Sequence, residues 1–183
     1  MKAVGYRKNL PINAPKALED VELPAPVPGA RDLLVRVHAV SVNPVDTKVR
    51  AASAPAAGEV KVLGWDAVGV VEAVGAHAIG FAVGDRVWYA GSIKRPGANS
   101  ELHAVDARIV SKAPKSLSDA QAAALPLTAI TAWELLYDRL RIAQGAGEGQ
   151  TLMVVGGAGG VGSILIGVGQ QSTIRSMSVL FWV

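Results

Sequence analysis

The sequence contains no cysteine, which removes disulfides, thiolate metal ligands and a thiol nucleophile together. Its three histidines, His38, His77 and His103, stand far apart and lack the short spacing of a metal-binding motif. No segment approaches the roughly 18 consecutive apolar residues that a membrane helix needs, and the N-terminus has no signal-like apolar stretch. We therefore expect a soluble, cytoplasmic protein. Lysine and arginine number 18 against 15 aspartates and glutamates, for a formal charge of +3. They are scattered, and no basic run with interleaved aromatics offers a nucleic-acid surface. No repeat or low-complexity tract interrupts the chain, and its 20 glycines and 10 prolines are spread as turn punctuation.

What is present is enough for a real core. Half of the 183 residues are hydrophobic, and the length suits one complete domain plus part of another. Met1 to Tyr6 reads as a first strand, and Val21-Glu22-Leu23 as a short second segment stopped by Pro24, Pro26, Pro28 and Gly29. Leu34 to Val42 alternates large apolar with small or polar residues, the pattern of a half-buried antiparallel strand. Asn43-Pro44-Val45-Asp46 then turns the chain into a short helix through Arg50. Val60 to Val74 is dense in valine, and Arg86 to Ala90 and Ser100 to Val105 add further strands before Pro114. Short strands at close spacing predict a small barrel or sandwich. The pattern switches at Ser118, which caps a helical segment through Leu125; helical spacing resumes from Thr131 to Leu140. Strands followed by β-α order imply two unlike domains, over 1–115 and 116–183.

The second domain opens on Thr151-Leu152-Met153-Val154-Val155, a short buried strand running into Gly156-Gly157-Ala158-Gly159-Gly160-Val161-Gly162. Glycine lets a backbone approach a phosphate closely, and the register Gly157-x-Gly159-x-x-Gly162 fits the dinucleotide fingerprint, in which amide N–H groups and a helix dipole hold a pyrophosphate. Taken alone this motif is equally the mark of any tight strand-to-helix turn.

Five stretches in order narrow the choice: Ser41 to Lys48, Leu63 to Val71 (reading Leu-Gly-Trp-Asp-Ala-Val-Gly-Val-Val), Val83 to Val87, Ala123 to Thr128, and Gly157 to Gly162. Together they resemble the medium-chain dehydrogenase/reductases, and within them the zinc-independent quinone-oxidoreductase-like branch, over residues 1–166. The resemblance implies an α+β then α/β architecture: a GroES-like β-barrel followed by the start of a Rossmann domain. It implies an oxidoreductase that passes hydride from NADPH, or from NADH, to a quinone or an α,β-unsaturated carbonyl as small-molecule substrate. It also implies that Gly157, Ala158, Gly159, Gly160, Val161 and Gly162 face the pyrophosphate, that Thr131 bonds the nicotinamide carboxamide, and that Asn43 lines the cleft floor. The family's full-length members imply a homodimer; for this chain the assembly is undefined. No membrane or nucleic-acid partner is implied.

Each candidate has a plain structural competitor. Asn43 precedes a proline and suits an Asx turn. Thr131 suits a helix brace. Asp46 is either a general acid or base beside the cleft or a capping partner near a helix start. Trp65 and Asp66 either line the cleft or anchor the barrel, and Tyr89 either donates a proton or packs. Lys48 stands where some members of the branch carry a tyrosine, so no side chain stands out as proton donor and water can serve. Zinc-dependent members place a cysteine near Asn43, a Gly-His-Glu where this chain reads Gly64-Trp65-Asp66, and a four-cysteine lobe; with those ligands missing, we expect no zinc.

After Ile166 the resemblance fades. Gly167 and Gly169 weaken the expected helix by about 1 kcal/mol each relative to alanine. No acidic residue follows Glu148, so the usual ribose-binding carboxylate is missing, and Arg175 comes too early to hold a 2′-phosphate. Ser178 to Val183 is apolar and suits one added strand. These features predict an incomplete Rossmann domain, as in a truncated or frame-shifted product. The alternative to an active reductase is therefore a catalytically inactive barrel with a Rossmann stump.

Overall fold

The computed structural model describes residues 1–179. β1 (Lys2–Tyr6), β2 (Glu19–Glu22), β3 (Asp32–Ser41), α1 (Pro44–Ala52), β4 (Lys61–Val62), β5 (Asp66–Val74), β6 (Arg86–Ala90), β7 (Leu102–Asp106) and β8 (Val110–Lys112) come first in the chain. They are followed by α2 (Asp119–Ala123), α3 (Pro126–Trp133), a π-helical stretch over Glu134–Arg139, β9 (Thr151–Val155), α4 (Gly160–Gln171) and β10 (Arg175–Val179). The chain divides into two compact units, Met1–Pro126 and Leu127–Val183. No helix among the described residues is long and apolar enough to cross a membrane.

In the first unit two antiparallel sheets, ordered β2-β1-β4 and β7-β3-β5-β6-β8, form the GroES-like barrel. The valine-rich stretches fill it: Leu33 and Val35 of β3, Ala67 and Val71 of β5, Val87 and Tyr89 of β6 and Val105 of β7 make one buried cluster. Burying a valine- or leucine-sized side chain contributes about 1.5–3 kcal/mol, so this cluster is the main cohesive term. β3 and β5 run antiparallel from Leu33↔Val74 to Ser41↔Asp66, with irregularities after Leu34 and Val37. Gly69 sits in that ladder because a Cβ there would lie 2.1 Å from the Arg36 carbonyl oxygen. At the far end Arg95 grips both oxygens of Asp32, at 2.9 and 2.7 Å, and holds its carboxyl below the usual range.

The serine predicted to cap a helix does so. Ser118 and Gln121 form a capping box at the start of α2, satisfying two amides that the helix itself leaves without partners. Arg86 then fixes this helix, with Nε donating to Asp119 Oδ1 at 2.7 Å and the guanidinium donating to the carbonyls of Pro114 and Leu117.

In the second unit β9 and β10 pair in parallel, from Arg175↔Thr151 to Val179↔Val155. Ala132, Leu136, Val154, Leu165 and Ile174 form its core. α4, the helix expected after the glycine loop, runs to Gln171 through both glycines: Gly169 is buried, and a Cβ there would lie 3.2 Å from Ser176 Oγ, so one of the two glycines sits at a close approach of helix to strand. One reading of the sequence changes here. The added strand starts earlier than expected, at Arg175; the rest of the apolar end, residues 180–183, lies outside the described residues.

Candidate cofactor-binding and active-site residues

The glycine loop has the geometry of a phosphate cradle. β9 ends at Val155, Gly156 takes φ +70°, and the Gly159 N–H donates back to the Gly156 carbonyl at 2.9 Å, closing a tight turn. α4 begins at Gly160, with Gly159 as its N-cap in extended conformation and no acidic residue in the first turn. The amides of Gly160, Val161 and Gly162 thus have no partner within the helix and lie at its positive end. Space around the loop admits nothing but glycine at two positions. A Cβ on Gly157 would lie 2.3 Å from Ser178 Oγ, and one on Gly162 would lie 2.6 Å from the Gly156 carbonyl oxygen. The loop surface at Ala158, Gly159 and Gly160 is exposed, whereas the Val161 side chain packs against the core beneath it. What Val161 can offer a phosphate is its amide.

α3 passes beside this loop: Thr128 Cγ2 lies 3.3 Å from where a Cβ on Gly160 would stand. One turn on, Thr131 is exposed, and its hydroxyl donates to the Leu127 carbonyl at 2.7 Å. Its proton is spent on the helix, while its oxygen can still accept.

In the first unit the structure draws Asn43, Asp46, Gly64 and Asp66 into one network. Asn43 is the N-cap of α1 and forms a capping box with Asp46; its backbone N–H donates to Asp46 Oδ2 at 2.8 Å. The other oxygen, Asp46 Oδ1, accepts the Gly64 N–H at 2.9 Å, where Gly64 takes φ +94°. Asp46 is 5% exposed, so a buried carboxylate serves two backbone donors and joins the start of α1 to the Leu63-Gly64-Trp65 stretch. Asn43 Nδ2 donates to Asp66 Oδ2 at 2.9 Å, and Asp66 is fully buried. The side-chain amide that could meet a ligand is thus oriented by a second acid on β5. Trp65, also buried, donates its Nε1–H to the Ser92 carbonyl at 3.0 Å and packs with Tyr6 and Leu63; it anchors the barrel.

Tyr89 is buried too, with its hydroxyl 3.0 Å from His103 Nδ1, and His103 Nε2 is 3.0 Å from the Pro96 carbonyl. The latter contact makes Nε2 the protonated nitrogen, so Nδ1 accepts from Tyr89. Burial pushes the tyrosine up and His103 down to about 4. This pair braces three chain segments from inside the barrel. The sequence gives no sign of it, since Tyr89 and His103 lie on different strands with no motif between them. His38 is bound elsewhere, Nδ1 to Asp119 Oδ2 at 3.0 Å.

Comparison with known proteins fits both units. Residues 29–115 match the alcohol dehydrogenase GroES-like domain. A Staphylococcus epidermidis zinc-type alcohol dehydrogenase-like protein is 42% identical over 166 residues, which are 90% of this chain and 49% of that protein. A crystal structure from Rhizobium etli, provisionally described as a zinc-dependent alcohol dehydrogenase, superposes with a TM-score of 0.88 at 50% identity, over 97% of this chain and 52% of that one. The chain belongs to the medium-chain dehydrogenase/reductase superfamily. It spans about half the length of the relatives it matches. Escherichia coli quinone oxidoreductase, solved with NADPH, shares the fold at a TM-score of 0.77 and 27% identity, over 97% of this chain and 52% of that one.

Proposed function

We propose that the chain carries the substrate-side barrel and the pyrophosphate-binding turn of an NAD(P)H-dependent oxidoreductase that reduces quinones or α,β-unsaturated carbonyls. The observation that carries this reading is the turn from β9 into α4, where Gly157 and Gly162 leave no room for a side chain and three helix-terminal amides have no partner within the helix. The residues present therefore suit a dinucleotide: the amides of Gly160, Val161 and Gly162 bind its pyrophosphate, aided by the helix dipole. A reduced nicotinamide, when bound, supplies hydride. Thr131 accepts a hydrogen bond from the carboxamide N–H through the hydroxyl oxygen it keeps free. Asn43 presents to a substrate the lone pair of its side-chain carbonyl that the capping box leaves over, since its Nδ2 is committed to Asp66. Asp46 holds that asparagine and exchanges no proton, because both of its oxygens already accept backbone N–H groups. With no barrel side chain poised as a proton donor, water protonates the reduced acceptor. The NADPH bound by the E. coli quinone oxidoreductase supports this choice of cofactor, with NADH as the variant; a small-molecule substrate and a cytoplasmic setting accompany it.

Zinc is named for several relatives, but the residues here do not suit it. Among the described residues no three of His, Cys, Asp and Glu stand together as ligands, and the acids nearest the candidate site are held by backbone and asparagine donors. We derive no step through a metal.

The test is the loss of NADPH absorbance with a benzoquinone and, separately, with an enone as acceptor. Turnover with either supports the reading and identifies the acceptor. NADPH binding without turnover on both would leave the inactive fragment as the better description, and turnover that needs stoichiometric zinc would overturn the zinc-independent assignment.

A further inference from the structure

Between β6 and β7 the chain runs from Gly91 to Asn99 without helix or strand. This strap is tied at both ends to the stretch from Val62 to Trp65. At the near end the Gly91 N–H donates to the Trp65 carbonyl at 2.8 Å, and Trp65 Nε1–H donates to the Ser92 carbonyl at 3.0 Å. At the far end the N–H groups of Gly97, Ala98 and Asn99 donate to the carbonyls of Val62, Gly64 and Leu63, at 3.0, 2.6 and 2.9 Å. The fit there is close, since a Cβ on Gly97 would run into the Leu63 carbonyl. The middle of the strap is undercut. A cavity of about 200 Å³ lies between Ser92 and Arg95 of the strap and His103 to Asp106 of β7, and one of about 250 Å³ lies between Ile93 to Pro96 and Ala54, Glu59 and Lys61. Two side chains hold this middle stretch: Arg95 grips Asp32, and His103 Nε2 donates to the Pro96 carbonyl at 3.0 Å. Pro96 has no N–H and a fixed φ, so its carbonyl is its one backbone handle, and its seating sets where Gly97 begins.

We propose that His103 is a positioning residue for Asn43, acting through this strap. The links are continuous. His103 seats Pro96, and two residues on the Ala98 N–H takes the Gly64 carbonyl. The N–H of the same glycine goes to Asp46 Oδ1, and Asp46 Oδ2 takes the Asn43 N–H. Gly64 is thus held from one side by the strap and from the other by Asp46, at φ +94°. A glycine has no side chain to keep it in place and a wide choice of φ, so it moves when either tie is lost. Asp46 then holds Asn43 less firmly, and the carbonyl lone pair offered to a substrate loses its direction. His103 itself is aimed from inside the barrel, because the buried Tyr89 hydroxyl donates to its Nδ1. The coupling from His103 to Asn43 stands on the barrel alone; its consequence for acceptor reduction rests on the reductase reading.

Hydrogen exchange of the 183-residue chain under rising denaturant, followed by NMR, tests the coupling without cofactor or acceptor. The amides of Ala98, Asn99, Gly64 and Asn43 are expected to open together, and before the paired strands β3 and β5. Separate opening overturns the proposal. Variants then distinguish the two ring nitrogens. His103→Gln keeps an N–H near the Nε2 position, whereas His103→Asn is one bond shorter and leaves the Pro96 carbonyl without its donor while its oxygen stays beside Tyr89. Tyr89→Phe spares the Pro96 bond. His103→Asn should speed exchange at Gly64 and Asn43 by about tenfold or more, as for an unmet buried hydrogen bond, with β3 and β5 unchanged. His103→Gln and Tyr89→Phe should stay close to the unaltered chain. Faster exchange confined to the strap, spread over the whole barrel, or equal in all three variants overturns the proposal. If His103→Asn does not fold, the joint opening in the unaltered chain decides. In turnover, His103→Asn should raise the acceptor KM and leave NADPH affinity as it was; an unchanged KM overturns the proposal. An unaltered chain that reduces no acceptor contradicts the reductase reading, and the exchange result still judges the coupling.

Discussion

Asp46 has no oxygen to spare. Its two acceptors hold the Asn43 and Gly64 amides, and removing them leaves a helix start uncapped and a backbone donor stranded. Asp46→Ala should lower unfolding stability in denaturant by about 2–4 kcal/mol, one part cap and one part unsatisfied amide. This half of the site was readable: Asn-Pro-x-Asp at the head of a short helix is the spacing of a reciprocal cap. Asp66 as the partner that orients Asn43 was not, because the two meet only through the pairing of β3 with β5. The same holds for Tyr89 and His103. Burial keeps His103 neutral in the fold and lowers it from 6.5 to about 4. In the unfolded chain the imidazole protonates near pH 6.5, so stability is fully present above that value and is lost as pH falls toward 4, by on the order of 3 kcal/mol across the window. His103→Gln should flatten that part of the stability–pH profile in thermal unfolding; an unchanged slope would remove His103 as its cause.

At the level of elements, the barrel strands, the Ser118 cap and the strand leading to the glycine loop followed from local signals: alternation over Leu34 to Val42, a serine three residues before Gln121, and an apolar run ending in glycine. The start of α4 did too, but the difference between its two inner glycines did not, because propensity treats Gly167 and Gly169 alike and packing does not. A Cβ on Gly167 would meet nothing within 4 Å, whereas one on Gly169 would crowd Ser176 Oγ at 3.2 Å. Gly167→Ala should therefore stabilise the second unit by about 0.5–1 kcal/mol through helix propensity and chain entropy. Gly169→Ala should gain less or lose stability, and equal gains measured by chemical denaturation would refute the packing account. β10 was mislaid for a related reason. Arg175-Ser176-Met177-Ser178 is polar at alternate positions and looks weaker as a strand than the apolar residues after it, yet its register is fixed by pairing with β9.

At the scale of the whole molecule, a barrel with a complete core accompanies a second unit whose sheet is covered on one face. The family likeness over five ordered motifs was legible in the sequence; the exposed row of Met153, Val155 and Met177 was not, since the strand that carries two of them reads as wholly buried when its neighbours are unknown. The cofactor site proposed for the second unit rests on the turn into α4, so the direct measurement is NADPH binding to the 183-residue chain, followed by nicotinamide fluorescence and titration calorimetry, beside Gly162→Val. The account predicts saturable 1:1 binding that free pyrophosphate competes away and that Gly162→Val weakens by at least about tenfold, or 1.4 kcal/mol, because the new Cβ would lie 2.6 Å from the Gly156 carbonyl oxygen. Barrel exchange rates unchanged in the variant would localise the effect to the turn. Binding that survives Gly162→Val with full affinity, or no binding by the unaltered chain, would contradict the assignment of this loop as a dinucleotide site.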